Sequence, residues 1–93
     1  MKGEPVIHTS VAWNQPNPFT NETTIHVIIE DAQPIKLSVY DYLGQVVYTD
    51  LKYCGVGDHT FTISEKDLGR DGVYIYHIQG KNRSIQKKMM LLR

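Results

Sequence analysis

The chain has 93 residues, enough for one domain with a modest core, because a domain this small buries only about two-thirds of its unfolded surface. Its hydrophobic content of 41% is globular, which excludes a disordered chain, and no apolar run approaches the ~20 residues of a membrane-spanning helix. Ten basic and ten acidic side chains cancel, so the whole chain has no polyanion-binding composition.

The charge is nevertheless uneven. After Asp71 there is no acid, whereas Lys81, Arg83, Lys87, Lys88 and Arg93 are basic. Such a stripe serves nucleic acid or anionic lipid in some proteins. Here it reads as a solvated strand face whose lysines guard an exposed edge, and no nucleic-acid partner is expected. Met1-Lys2-Gly3-Glu4 leads into alternation rather than an apolar block, so no signal peptide is expected and the chain reads as the C-terminal part of a longer protein. Cys54 is the only cysteine and makes no internal disulfide.

From Pro5 to Trp13 the residues alternate, Ile7, Thr9, Val11 and Trp13 against Val6, His8, Ser10 and Ala12. That period of two predicts a strand, with Trp13 inward. Gln15-Pro16-Asn17-Pro18-Phe19 cannot continue a ladder, because two prolines remove two donors. It is a stiff crossover, with Phe19 placed to plug the core. Thr23 to Glu30 forms a second strand with Ile25, Val27 and Ile29 inward, and Asp31-Ala32-Gln33-Pro34 turns into a third.

A hairpin over Ile35–Leu51 organises the chain. Ile35, Leu37 and Val39 alternate with Lys36, Ser38 and Tyr40, and Gln45 to Thr49 resumes strand chemistry. Between them, Asp41 can accept from its own backbone two residues on, and Gly44 supplies a positive φ. A type I turn closed by Gly44 is expected.

Tyr53 to Asp58 reads as a glycine-rich loop carrying a semi-buried Cys54, and His59 to Ile63 as a strand with Phe61 and Ile63 inward. Ser64 to Asp71 is polar, with one short helical turn capped by Ser64. Gly72 to Gln79 alternates Val73, Ile75 and His77 against Tyr74, Tyr76 and Ile78. Gly80 to Arg83 then turns into a last strand, Ser84 to Leu92.

About seven short strands at turn-punctuated intervals, with no sustained helical period, specify an all-β fold: an immunoglobulin-like antiparallel β-sandwich in one domain, residues 1–93. The expected core is Trp13, Phe19, Ile25, Val27, Ile29, Leu37, Val39, Val46, Phe61, Ile63, Val73 and Ile75.

Five ordered blocks carry a family resemblance. Val39-Tyr40-Asp41-Tyr42-Leu43-Gly44-Gln45-Val46-Val47 resembles the central hairpin of the type IX secretion system C-terminal sorting domains, type A. Pro16-Asn17-Pro18-Phe19 followed by Thr23-Thr24-Ile25 is similar to their opening. Gly57-Asp58-His59-Thr60-Phe61 resembles a following strand, and Gly72-Val73-Tyr74-Ile75-Tyr76 their penultimate strand, with Asp71 in place of a usual serine. Lys87-Lys88-Met89-Met90-Leu91-Leu92 looks like their ending, and Arg93 closes the chain. The resemblance covers residues 16–93, with 1–15 a first strand or linker. Immunoglobulin-like domains of flagellar hook-capping proteins share the hairpin and the Gly72-Val73-Tyr74 pattern and compete as a fold relative.

The resemblance implies a small β-sandwich that does no chemistry itself. It implies an N-terminal cargo domain in the same precursor, recognition by the type IX outer-membrane translocon after passage through the periplasm, and, in many members, removal by a sortase-like protease. The destination is secreted or cell-surface. Lys87 to Arg93 is the expected recognition segment, lying on an open edge. The alternative is a β-sandwich accessory module binding glycan or protein beside a catalytic domain; a sorting domain ends its precursor, and an accessory module stands anywhere.

Residues for other chemistry are not assembled. His8, His26, His59 and His77 are far apart with no metal-ligand spacing. No nucleophile elbow, phosphate loop or calcium loop is present. No catalytic residue, metal or cofactor is expected. Asp67 and Asp71 read as a solvated loop in preference to a cation pair, and Tyr40 with Tyr42 as tyrosines straddling core and solvent or as a binding patch.

Overall fold

A computed structural model describes residues 9–93; Pro5 to His8, and the facing predicted for Ile7, Thr9 and Val11, lie outside what it describes. Seven strands run in order: β1 (Thr9–Gln15), β2 (Glu22–Ile29), β3 (Gln33–Tyr40), β4 (Val46–Cys54), β5 (Gly57–Ser64), β6 (Gly72–Gln79) and β7 (Ser84–Leu91), with one helical turn, α1 (Glu65–Leu68), between β5 and β6. They form two antiparallel sheets, β1-β2-β5 and β4-β3-β6-β7. The chain is thus a β-sandwich, with β4 beside β3 rather than in the first sheet as in constant immunoglobulin domains.

The core lies between the sheets. Ile25, Val27 and Ile29 of β2 and Ile35, Leu37 and Val39 of β3 are buried, joined by Phe61, Ile63, Phe19, Met89 and Leu91. Each such side chain contributes roughly 1.5–3 kcal/mol when fully buried. α1 starts at Ser64, whose hydroxyl accepts from Lys66 N–H at 3.2 Å while Asp67 accepts from Ser64 N–H at 2.9 Å. This reciprocal cap drops Leu68 into the core from an otherwise polar segment.

Four predicted core residues face the other way. In β1 it is Ala12, 2% exposed, that points inward, while Trp13 is 37% exposed and stacks on His26 with ring centroids 4.8 Å apart. In β6 the buried face is Tyr74, Tyr76 and Ile78, because Tyr76 stands opposite Val39 and Ile78 opposite Leu37; Val73 and Ile75 are half-buried on the outer face. In β4 the register slips between Val39 and Tyr40, so Val47 is the extra residue and Val46 is turned out to solvent.

The predicted loop over Tyr53–Asp58 shrinks to Gly55-Val56, with Tyr53 and Cys54 ending β4 and Gly57 and Asp58 opening β5. Cys54 is fully buried in a strand, not semi-buried in a loop, and burial pushes its thiol pKa up, away from thiolate reactivity. On the same side of the sandwich the Lys52 ammonium donates to Thr60 O at 2.9 Å and lies 4.3 Å above the Phe61 ring, bridging the two sheets.

Candidate functional site

β7 is an edge of the four-stranded sheet, and its alternation sorts its residues sharply. Met89, opposite Tyr74, and Leu91, opposite Gly72, are buried, with Ile85 half-buried on the same side. Lys87 shares that inner side yet is exposed, and Lys88 and half-buried Met90 face outward. A charge on the inner side of an edge strand discourages pairing with a second chain.

The expectation of an open edge over Lys87–Arg93 is corrected. The Asn17 amide donates to Lys88 O at 3.2 Å and accepts from Met90 N–H at 3.0 Å. Phe19 continues the ladder: its N–H donates to Met90 O and its carbonyl accepts from Leu92 N–H, both at 2.9 Å. The crossover predicted to make no ladder therefore caps β7 from Lys88 to Leu92, because one amide and one proline-free residue replace the donors the prolines lack. The strap is anchored in turn by Thr23, a buried hydroxyl that donates to Pro16 O at 2.7 Å. Phe19 itself is 1% exposed and plugs the core as expected.

The chain end is tied as well. Arg93 N–H and Nε donate to the two carboxylate oxygens of Asp71 at 3.0 and 2.8 Å, Nη1 reaches Glu65 at 3.1 Å, and Nη2 donates to Gly69 O at 3.0 Å. The backbone hydrogen bond from Arg93, then its side chain, hold the Asp71 carboxyl below the ordinary carboxylate range. Asp67 is engaged in the α1 cap, so the two aspartates do not share a site.

Tyr74 gives the Gly72-Val73-Tyr74 block a structural role. Its hydroxyl turns back to Arg70 O at 2.6 Å, with Leu68 O at 3.4 Å. A tyrosine near the start of the penultimate strand bonding upstream backbone is the tyrosine corner of immunoglobulin-like folds. Tyr76, two residues on, occupies the position of their second cysteine. The sequence held this signal, a tyrosine two residues before a core position, but the inverted reading of β6 concealed it. At the other turn, Asp41 accepts from Leu43 N–H and Gln45 N–H, both at 2.9 Å, and Gly44 has φ 84°, as the sequence predicted.

Thus the blocks Pro16–Phe19, Gly72–Tyr74 and Lys87–Arg93 meet around β7, and the Asp41–Gly44 turn stands beside them through the pairing of Tyr40 with Ile75. Gly57, opposite Ile29 in the other sheet, is not part of this cluster. Among the described residues no three or more His, Cys, Asp or Glu gather into a metal site. His26 stacks on Trp13, and His59 Nε2 lies 2.8 Å from Gly55 O.

No curated protein matches the chain. A family model described as a secretion system C-terminal sorting domain matches residues 15–92. That match spans the strap, the tyrosine corner and all of β7. This chain belongs to the type IX secretion C-terminal sorting domain family, whose members serve as sorting signals for export across the outer membrane.

Proposed function

We propose that the domain is the C-terminal address of a longer exported protein and that Lys87–Arg93 is the segment the outer-membrane translocon reads. Residues 1–93 act as one non-catalytic module, with a cargo domain before it and a sortase-like protease that separates the two at the surface. The observation that carries this reading is the convergence of two family blocks, Pro16–Phe19 and Gly72–Tyr74, on the third, Lys87–Arg93, at the end of β7. Residues that hold one strand end in place from two separate parts of the chain are what a recognition element requires, since such an element must be presented in one shape.

The test is a reporter fused ahead of the domain in a type IX-competent cell. Deleting Lys87–Arg93 is expected to leave the reporter in the periplasm. Because that deletion also removes buried Met89 and Leu91, Lys88→Glu is the companion variant: an exposed charge costs the fold little, so export should fall while the melting temperature holds. Normal surface delivery of the truncated fusion would place the accessory-module reading ahead.

A further inference from the structure

The strap leaves part of the β7 edge open. In an antiparallel pair, alternate residues turn both main-chain groups to the partner strand, and the residues between turn both away. Lys88 O, Met90 N–H and Met90 O are taken by Asn17 and Phe19, so the even-numbered residues of β7 face away from β6. Gln86 keeps this phase, because β6 and β7 pair from Gly72 and Leu91 to Gln79 and Ser84 without a slip. The Gln86 N–H and C=O and the Lys88 N–H meet no partner among the described residues. The side chains of Ser84, Gln86, Lys87 and Lys88 are exposed. Ser84 to Lys88 is thus a short free edge with unpaired donors and an unpaired acceptor.

The charge along this edge has one sign. Lys87 and Lys88 point to opposite sides of the strand and make no ion pair among the described residues. No Asp or Glu occurs in residues 9–21 or 72–93, which hold β1, the strap, β6 and β7. Carboxylates stand off both ends and beyond β6. Glu30 and Asp31 belong to the β2–β3 turn, which the Gln33 side chain joins to Lys81 through Asp31 O and Lys81 N–H, both at 2.8 Å. From Ser84, the residue of β7 nearest that turn, Lys87 is about 10 Å further along the strand. Glu65 and Asp71 are held by Arg93 past the capped end. Asp41 follows β3, and β6 stands between that strand and β7.

We propose that the export machinery adds an extended acidic segment of its own to β7 at Ser84–Lys88. The segment accepts from the Gln86 and Lys88 N–H groups, donates to Gln86 C=O, and sets one carboxylate against Lys87 and another against Lys88. Successive side chains of a strand point to opposite faces, so the two carboxylates stand at adjacent positions. The main-chain bonds hold the segment and the two lysines select it. Lys87, on the inner side, turns away an apolar strand and admits one that brings a carboxylate. The inference rests on the sorting reading and places the contact on the part of β7 that the strap leaves free. A second copy of this chain brings no carboxylate along the same edge.

The reporter fusion tests it. Gln86→Pro removes an outward donor and fills the edge with its ring, while the bonds to β6 stay, as prolines on sheet edges allow. It is expected to cut surface delivery roughly tenfold or more, as loss of a central contact does, with the melting temperature nearly unchanged. Lys87→Glu, at an exposed charge, should do the same. Lys52 takes Thr60 O, so Thr60 and Thr62 face outward from the edge of β5, and Thr62→Pro there should export normally. Normal export of Gln86→Pro overturns the proposal; where that variant fails to fold, normal export of Lys87→Glu overturns it. If deletion of Lys87–Arg93 still stops export, the sorting reading stands without it; normal export of the deletion removes that reading as well. Loss of export by a folded Thr62→Pro domain also overturns the proposal. Two measurements on the purified chain address other occupants. Binding to phosphatidylglycerol vesicles that Lys87→Glu abolishes, or a concentration-dependent dimer in sedimentation that Gln86→Pro dissolves, would each overturn it; neither is expected.

Discussion

Asp71 grips Arg93 at two atoms, accepting from its backbone N–H at 3.0 Å and its Nε at 2.8 Å, and so fastens the last residue to the entrance of β6. The Asp71 carboxyl is held below its ordinary value of 3.8, chiefly by the backbone bond. A depressed carboxyl contributes stability that is present above the unfolded value and is lost as pH falls through the lower folded value. Asp71→Asn should therefore lower the melting temperature at neutral pH, with the difference from the parent shrinking as the pH is taken below 3.8. Both partners are well exposed, so the neutral-pH effect should be small and should diminish in high salt.

Asn17 makes two bonds to the edge of β7 with one amide. Asn17→Ala should destabilise by about 1–2 kcal/mol in denaturant unfolding, the cost of losing bonds to strand backbone. Asn17→Asp separates the two roles. Its carboxylate still accepts from Met90 N–H but opposes Lys88 O, so it should not restore the parent's stability.

Tyr74 and Tyr76 stand two residues apart on one buried face and should respond oppositely to loss of the hydroxyl. Tyr74→Phe removes the corner bond to Arg70 O and should cost about 1–3 kcal/mol. The Tyr76 hydroxyl is buried and meets no partner among the described residues, and desolvation pushes its pKa to about 12 from 10.0. Tyr76→Phe removes an unsatisfied polar group and should raise stability by about 1–3 kcal/mol. Because the folded pKa of Tyr76 is raised, its contribution is intact below pH 10.0 and is lost as the pH rises toward about 12. That alkaline loss should be weaker in Tyr76→Phe. Thermal melts of both variants at neutral and alkaline pH check the pair.

Gly44 has φ 84°, and no atom lies within 4 Å of where an added Cβ would sit, so a side chain there meets backbone strain and no collision. Gly44→Val should cost about 1–3 kcal/mol, and Gly44→Asn less, because asparagine tolerates the left-handed region. Equal melting temperatures for the two variants would contradict this account of the turn.

Local rules made much of the fold legible. Period-two alternation located the strands from β2 to β7, Asp41 and Gly44 announced their turn, and Ser64 announced the cap of α1, because each depends on residues a few positions apart. The facing of β6 was not legible. Val73 and Ile75 are as apolar as Tyr74, Tyr76 and Ile78, so alternation gives the period without the phase; pairing with Val39 and Leu37 decides it. Val46 was misplaced for a related reason, since one extra residue opposite Tyr40 inverts the facing without changing composition.

The family blocks were also written in the sequence, and with them the sorting role. Their mutual purpose was not. Asn17 and Met90 are 73 residues apart, and Asp71 and Arg93 are 22 apart. No local periodicity encodes which amide caps which strand or which carboxylate receives the last arginine. Those pairings exist only once two sheets have closed on a shared core, bringing the Pro16–Phe19 strap to the edge of β7. The sequence alone determined a sandwich whose last strand carries a family block; the closing of the sheets decided that the edge of this strand is capped from Lys88 to Leu92.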